Sequence, residues 1–190
     1  AHIDALVLPK VTSAEQVVAL DLVVSQVEAS AGLEVGRIGF ELQIEQAFGL
    51  QLDEEIAAAN ARTETLVFGP GDYMASMGMR GLSVGSQIVG YQADAFHYAL
   101  TRILIAARAN GLQALDGPDV SIRDLPGFKV SAAKAAALGY DGKWVAAACT
   151  DCSPDTAQGN PFPIYMYEVF LPEVEVDLET GEAKVVKFVT

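Results

Sequence analysis

Two acidic residues, Glu45 and Asp72, each follow a short apolar run that is typical of a β-strand. The runs cover residues 37–44 and 65–69, and the two acids are 27 positions apart. If the runs form neighbouring parallel strands, both carboxylates lie at the same edge of the sheet, where α/β folds place their chemistry. Two oxygen ligands at such an edge, with room for water, suit Mg²⁺. The pattern therefore predicts a magnesium site formed by Glu45 and Asp72.

Alternating strands and helices must position these acids. The hydrophobic pattern predicts strands at 3–10, 37–44, 64–68, 112–115 and 143–145. It predicts helices at 13–32, 53–59, 94–109 and 128–138, with a loop at 69–91. Such alternation indicates a parallel sheet of class α/β. Five strands are too few for an eight-stranded barrel of about 250 residues, so the sheet is either open or part of a larger barrel.

The pattern changes after residue 146. Residues 149–163 are rich in turn formers, and residues 165–176 and 183–189 alternate in polarity around a turn at 178–182. This alternation is typical of a β-hairpin. The sequence therefore predicts a β/α domain at 1–146 and a turn-rich segment with a C-terminal β-hairpin at 147–190.

The composition excludes several classes of partner. The chain has 190 residues, of which 51% are hydrophobic, and its formal net charge is −13. Such a charge repels nucleic acid and anionic lipid surfaces, so we expect neither as a partner. No apolar run approaches the ~18 residues that span a bilayer. An anionic substrate would need a local metal ion or a few basic groups.

The remaining compositional features indicate a cytoplasmic protein. The first residues lack the basic start and apolar core of a signal peptide. The two cysteines, Cys149 and Cys152, form a single Cys-x-x-Cys pair, and a zinc site would need a second pair. We interpret them as two inert thiols in a reducing compartment.

Five segments, in the same order, resemble the later part of the citrate lyase β-like (HpcH/HpaI aldolase) family, which includes malyl-CoA and citramalyl-CoA lyases. These segments are 6–11, 43–47, 68–73, 112–118 and 139–145. The resemblance implies a partial TIM-type β/α barrel of about five parallel βα units. It also implies Mg²⁺-dependent cleavage or formation of a 3-hydroxyacyl-CoA, with an acyl-CoA thioester and a 2-oxo acid as the small-molecule partners.

The resemblance assigns roles to particular residues. It implies that Glu45 and Asp72 are the Mg²⁺ ligands and are catalytic. Lys10, at a strand end, is the third predicted catalytic residue, either steadying an anionic substrate or pairing with Glu45. The predicted substrate-binding residues are Gly69, Pro70, Gly71 and Asp116. For Asp116, which precedes Gly-Pro, the other interpretation is the start of a turn.

The sequence departs from the family in three respects. The family's early strands, with an arginine that clamps the substrate carboxylate, have no counterpart here. A His-Pro segment is replaced by residues 146–149, and the threonine after the metal-binding glutamate is Gln46. A supporting basic residue must therefore approach from elsewhere, such as a neighbouring subunit, and we expect a homo-oligomer.

The C-terminal segment resembles a different family. Residues 159–167 and 173–181 are similar to a segment of the large subunit of molybdenum hydroxylases. The segment contains none of that family's molybdopterin-binding motifs, so no molybdenum function is inferred. The two resemblances leave other interpretations open: a fusion or composite chain, or a non-catalytic fragment that acts as a scaffold or interaction protein.

Overall fold

The computed structural model describes most of the N-terminal three quarters of the chain and two C-terminal strands. The described residues are 3–80, 91, 93–118, 124–143, 171–176 and 183–189. The chain divides into two compact units, Ala1–Ala147 and Ala148–Thr190. The separate origin predicted for residues 147–190 stays a prediction.

A four-stranded parallel sheet forms the first unit. Its strands are β1 (Ala5–Leu8), β2 (Gly39–Ile44), β3 (Thr63–Phe68) and β4 (Gln113–Leu115). They lie in the order β1-β2-β3-β4, and every pairing is parallel. Consecutive order is that of successive β/α units in a barrel. The predicted parallel α/β sheet is therefore confirmed for four strands.

The predicted fifth strand lies mostly outside the described residues. Leu115 of β4 forms a parallel bridge with Gly142, immediately before the predicted strand at 143–145. Residues 144 and 145 are not among the described residues. The fifth βα unit therefore stays a prediction.

Helices connect and follow the strands. They are α1 (Ala14–Ser30), α2 (Ala47–Gln51), α3 (Asp53–Ala57), α4 (Pro70–Ser76), α5 (His97–Ala109) and α6 (Leu125–Leu138). The prediction of a loop at 69–91 is wrong over α4. The Gly, Met and Ser residues suggested a loop, but Pro70 is well tolerated in the first turn of a helix, where its missing N–H is not needed. Tyr73 and Met74 of α4 are buried.

The core occupies one face of the sheet. Phe40, Leu42 and Ile44 alternate along β2 and are fully buried, and Leu66 and Phe68 of β3 lie in register beside the last two. Each such side chain contributes about 1.5–3 kcal/mol on burial. Alternation then places the intervening residues of β2 on the opposite face. By the same alternation, Glu45, which directly follows Ile44, is expected on the face opposite the core.

The second unit contains an antiparallel strand pair. Strands β5 (Leu171–Val176) and β6 (Ala183–Val189) pair with Leu171 opposite Val189 and Val176 opposite Ala183. Residues 177–182, which contain the predicted turn, lie outside the described residues. The C-terminal hairpin therefore stays a prediction.

None of the helices in the described segments combines the length and the apolar character that crossing a bilayer requires. The predicted cytoplasmic location stays a prediction.

Candidate metal centre

Three neighbouring strands bring Lys10, Glu45 and Asp72 to one edge of the sheet. Lys10 lies two residues after β1, Glu45 directly follows β2, and Asp72 lies in the first turn of α4, which follows β3. Because the three strands pair in parallel, these residues all lie beyond the carboxyl ends of their strands. The structure thus brings together the three residues that the sequence predicted to be catalytic.

Lys10 contacts both acidic side chains. Its main-chain N–H donates to Glu45 Oε1 at 2.8 Å, and its Nζ donates to Asp72 Oδ1 at 3.3 Å. The sequence suggested a pairing of Lys10 with Glu45. In the structure that contact is made by the backbone, and the ammonium group pairs with Asp72 instead.

The position of Glu45 is electrostatically unfavourable for an anion. Its side chain is buried, with 3% of the residue's surface exposed. Burial raises the pKa of Glu45 to about 6, the N–H of Lys10 opposes this, and the nearby negative charge of Asp72 adds to the rise. A buried carboxylate beside a second carboxylate favours a bound cation, because the cation removes both penalties.

Gly69 provides the space in which Glu45 lies. A Cβ atom at position 69 would lie 2.3 Å from Glu45 Cβ and 2.4 Å from Glu45 Oε2. The N–H of Gly69 donates to the carbonyl of Ile44 at 3.0 Å, and Pro70 has no N–H. Gly69 therefore acts by its lack of a side chain, and the substrate contacts predicted for Gly69, Pro70 and Gly71 stay predictions.

Asp116 forms a buried ion pair that the sequence analysis did not predict. Lys143 Nζ lies 2.8 Å from Asp116 Oδ2, and the two side chains are 9% and 10% exposed. Lys143 Nζ also donates to the carbonyl of Gly117, whose own N–H donates to Asp116 Oδ1 at 2.7 Å. Asp116 is thus held by an ion pair, and both its predicted contact with substrate and its alternative interpretation as the start of a turn stay predictions. The resemblance of segment 139–145 assigned no role to Lys143, and no spacing rule pairs residues 27 positions apart.

Gly117, directly after Asp116, packs against the helix that carries Asp72. A Cβ atom on Gly117 would lie 2.3 Å from Pro70 Cδ and 2.7 Å from the carbonyl oxygen of Phe68. Pro70 is the first residue of α4, two positions before Asp72. The segment that carries Asp116 therefore packs against the start of α4, the helix that carries Asp72.

The donor set at this edge fits Mg²⁺. Glu45 and Asp72 supply hard carboxylate oxygens, and Mg²⁺ is commonly held by one or two carboxylates while its other positions keep water or substrate. Across the described residues, no group of three or more His, Cys, Asp or Glu side chains could hold a metal. This site would therefore leave several coordination positions free for substrate.

Four further residues that could bind or react lie in α4 and α5: Met74, His97, Arg102 and Arg108. His97 is exposed at the start of α5, and Met74 is buried in α4. Arg102 pairs with buried Asp53 at 2.5 Å, and Arg108 pairs with Asp141 at 2.9 Å. The two arginines of α5 therefore form ion pairs with residues elsewhere in the first unit.

A family model described as HpcH/HpaI aldolase/citrate lyase matches residues 1–148. The chain belongs to this family. It is 37% identical over 152 residues to L-malyl-CoA/beta-methylmalyl-CoA lyase of Rhodobacter capsulatus, a match that covers 75% of this chain and 48% of the relative. It is 30% identical over 140 residues to citrate lyase subunit beta of Escherichia coli strain K12, covering 74% of this chain and 44% of the relative.

A solved structure shares the fold of the first unit. The citrate lyase beta subunit of M. tuberculosis, complexed with oxaloacetate and magnesium, superposes with a TM-score of 0.58 at 30% identity. The match covers 75% of this chain and 55% of that structure. The described sheet is thus a partial barrel like that of this relative, and the chain spans about half the length of the curated relatives it matches.

The family match ends before the C-terminal segment. It stops at residue 148, so it gives no support to the predicted resemblance of residues 149–190 to molybdenum hydroxylases. The match covers the candidate metal centre completely.

The raised pKa of Glu45 predicts that metal binding depends on pH. With a pKa of about 6, Glu45 is ionised at pH 7.5 and mostly protonated at pH 5. A metal binds the ionised form, so Mg²⁺ affinity rises as the pH rises through 6, by about tenfold between these two values. Calorimetric titration of the intact chain with Mg²⁺ at both pH values measures this. Equal affinities at the two values would contradict the role of Glu45, and Glu45→Gln is the control that should show weak binding without this slope.

Proposed function

We propose that this chain carries the metal-binding part of a Mg²⁺-dependent carbon–carbon lyase. Its substrate would be a 3-hydroxyacyl-CoA such as malyl-CoA or citramalyl-CoA, which is cleaved to an acyl-CoA and a 2-oxo acid or formed from them. The observation that carries the proposal is the convergence of Glu45 and Asp72, bridged by Lys10, at the carboxyl edge of adjacent parallel strands.

The chemistry of such a reaction suits this site. Mg²⁺, when bound, polarises the hydroxyl or carbonyl oxygen next to the substrate carboxylate and so stabilises the charge that develops there. Glu45 and Asp72 would hold the ion, and Gly69 leaves the space that Glu45 needs. The Lys10 N–H would hold Glu45 Oε1 in place while this carboxylate binds the ion.

The relatives support the substrate class. One is named as a lyase of malyl-CoA and methylmalyl-CoA, and the solved relative contains oxaloacetate, a 2-oxo acid, together with magnesium. A 2-oxo acid presents a carboxylate and an adjacent oxygen, and this pair can chelate a hard cation. Free positions on the ion, as inferred above, would accept both oxygens.

The proposal is tested by incubating the intact chain with malyl-CoA or citramalyl-CoA and measuring the release of a 2-oxo acid. We expect release that requires Mg²⁺ and stops when EDTA is added. Mg²⁺ binding without release would instead favour a non-catalytic fragment, since the chain covers 48% of its malyl-CoA lyase relative. Absence of both binding and release would favour a scaffold.

A further inference from the structure

The backbone of Lys10 has an unusual conformation. Its φ angle is +54°, and among the described residues it is the non-glycine residue with a positive φ. This left-handed conformation costs a side-chain-bearing residue about 1–2 kcal/mol. Residues held in such conformations cluster at functional sites, where surrounding contacts keep them in place. Lys10 therefore requires an explanation beyond its place at the end of a strand.

The conformation allows Lys10 to make two contacts at once. The left-handed backbone directs the N–H to Glu45 Oε1, while the side chain reaches Asp72 Oδ1. The two contacts are unequal. The N–H contact is with a buried carboxylate, whereas the ammonium and Asp72 side chains are 54% and 48% exposed. An exposed ion pair of this kind is weak and easily exchanged.

The charges at the site indicate which partner the Lys10 ammonium group takes when a divalent cation binds Asp72. Glu45 and Asp72 together carry two negative charges, and Lys10 carries one positive charge. With a divalent cation added, the site has a net charge of +1, which complements a single carboxylate. In a chain with a net charge of −13, this local positive charge would attract an anionic substrate.

We propose that Lys10 exchanges partners, so that its ammonium group pairs with Asp72 in the metal-free protein and with the carboxylate of a 2-oxo acid once Mg²⁺ is bound. The inference rests on the proposed function and deepens it, because it makes binding ordered, with Mg²⁺ first and the 2-oxo acid second. The Lys10 ammonium group thus competes weakly with Mg²⁺ for Asp72 and contributes strongly to binding of the 2-oxo acid. Its backbone N–H keeps Glu45 in place in both states.

The test compares the intact wild-type chain with Lys10→Met, which removes the charge and keeps the side-chain length. Mg²⁺ is titrated calorimetrically, and pyruvate, as a simple 2-oxo acid, is then titrated into the Mg²⁺-saturated protein. We expect Lys10→Met to bind Mg²⁺ alone about two- to fivefold more tightly, because an exposed competing cation is gone. We expect its pyruvate affinity to fall about tenfold, because a charge-assisted contact is lost.

Two further variants separate the ammonium group from the backbone. Lys10→Arg keeps a cation and should restore most of the pyruvate affinity. Lys10→Gly loses the ammonium group but adopts a positive φ without strain and keeps the N–H that binds Glu45. It should therefore match Lys10→Met in both titrations, which guards against misfolding of the methionine variant.

Tighter Mg²⁺ binding together with weaker pyruvate binding in Lys10→Met supports the exchange of partners by Lys10. Weaker Mg²⁺ binding in Lys10→Met and Lys10→Gly would overturn it, because Lys10 would then support the ion instead of competing with it. Unchanged pyruvate affinity would also overturn it. Absence of Mg²⁺ binding in the wild-type chain would overturn the proposed function and this inference together, whereas unchanged constants in the variants would overturn the inference alone.

Discussion

Replacement of Asp72 by alanine is expected to weaken Mg²⁺ binding at least about 100-fold, measured by calorimetry on the intact chain at pH 7.5. Loss of a residue that merely supports a ligand costs 10- to 100-fold in metal affinity, and Asp72 is one of only two proposed ligands. The remaining carboxylate, Glu45, would face the ion alone. The variant should also lose the Mg²⁺-dependent release of a 2-oxo acid.

The effect on folding should be small, so that the loss of binding is interpretable. The Asp72 side chain is 48% exposed, and its partner Lys10 is 54% exposed, so their ion pair contributes little to stability. Removing the negative charge of Asp72 also relieves its repulsion of Glu45. The thermal unfolding midpoint of Asp72→Ala should therefore remain close to that of the wild-type chain.

Asp4→Ala is the matched control. Asp4 precedes β1 at the opposite edge of the sheet, and its side chain is 92% exposed in a 3.5 Å pair with Arg37. The same substitution there removes the same charge from the protein without touching the metal centre. We expect an unchanged Mg²⁺ dissociation constant. If Asp72→Ala bound Mg²⁺ as tightly as Asp4→Ala, the ion would lie elsewhere and the proposed site would be wrong.

The position of the two acids could be predicted from the sequence because two simple rules determine it. Apolar residues alternating along β2 define a buried face, and parallel strands end at one edge. Glu45 and Asp72 follow strands that pair directly in the structure. The strand bounds differ from the predicted ones by a few residues, because end residues are set by tertiary contacts that a local pattern does not contain.

The contacts of Lys10 could not be predicted in the same way. Lysine carries no preference for a positive φ, and in this conformation its N–H contacts the carboxylate of Glu45, 35 positions away. The space left by Gly69 is a similar case. The sequence shows a glycine before Pro70, but only the fold shows that Glu45 occupies the place of the missing side chain.

A buried ionic network at the other edge of the sheet has the largest expected effect on stability. Arg62, just before β3, donates two hydrogen bonds to the carboxylate of Glu28 in α1, at 3.0 and 2.7 Å. It also contacts Asp21 and Ser25 of α1 and the carbonyl of Ile38. One guanidinium group therefore joins α1 to the start of the two central strands.

Glu28 depends on this arginine. It is fully buried, and it also accepts hydrogen bonds from the N–H groups of Gly36 and Ile38 at 2.8 and 2.7 Å. The hydrogen bonds from Arg62 lower the pKa of Glu28 to about 2, against the opposing effect of burial. Because the folded-state pKa lies below the unfolded value, this stabilisation is present above pH 4.5 and is lost as the pH falls towards 2.

Arg62→Met is therefore expected to reduce the free energy of unfolding by about 3–5 kcal/mol, because it leaves a buried carboxylate without its cation. Urea unfolding followed by circular dichroism at pH 7 measures this. Arg37→Met, which breaks an exposed pair with Asp4, is the control and should change stability by less than about 0.5 kcal/mol.

The double variant Arg62→Met/Glu28→Gln distinguishes the buried charge from lost packing. If the cost of Arg62→Met comes from the uncompensated carboxylate, neutralising Glu28 should recover a large part of the lost stability. The single variant should also lose less stability on acidification than the wild-type chain, because protonation of an unpaired Glu28 removes a penalty. Equal losses in the single and double variants would contradict this explanation and assign the effect to the packing of the arginine side chain against Phe40, which lies 5.6 Å from the guanidinium carbon.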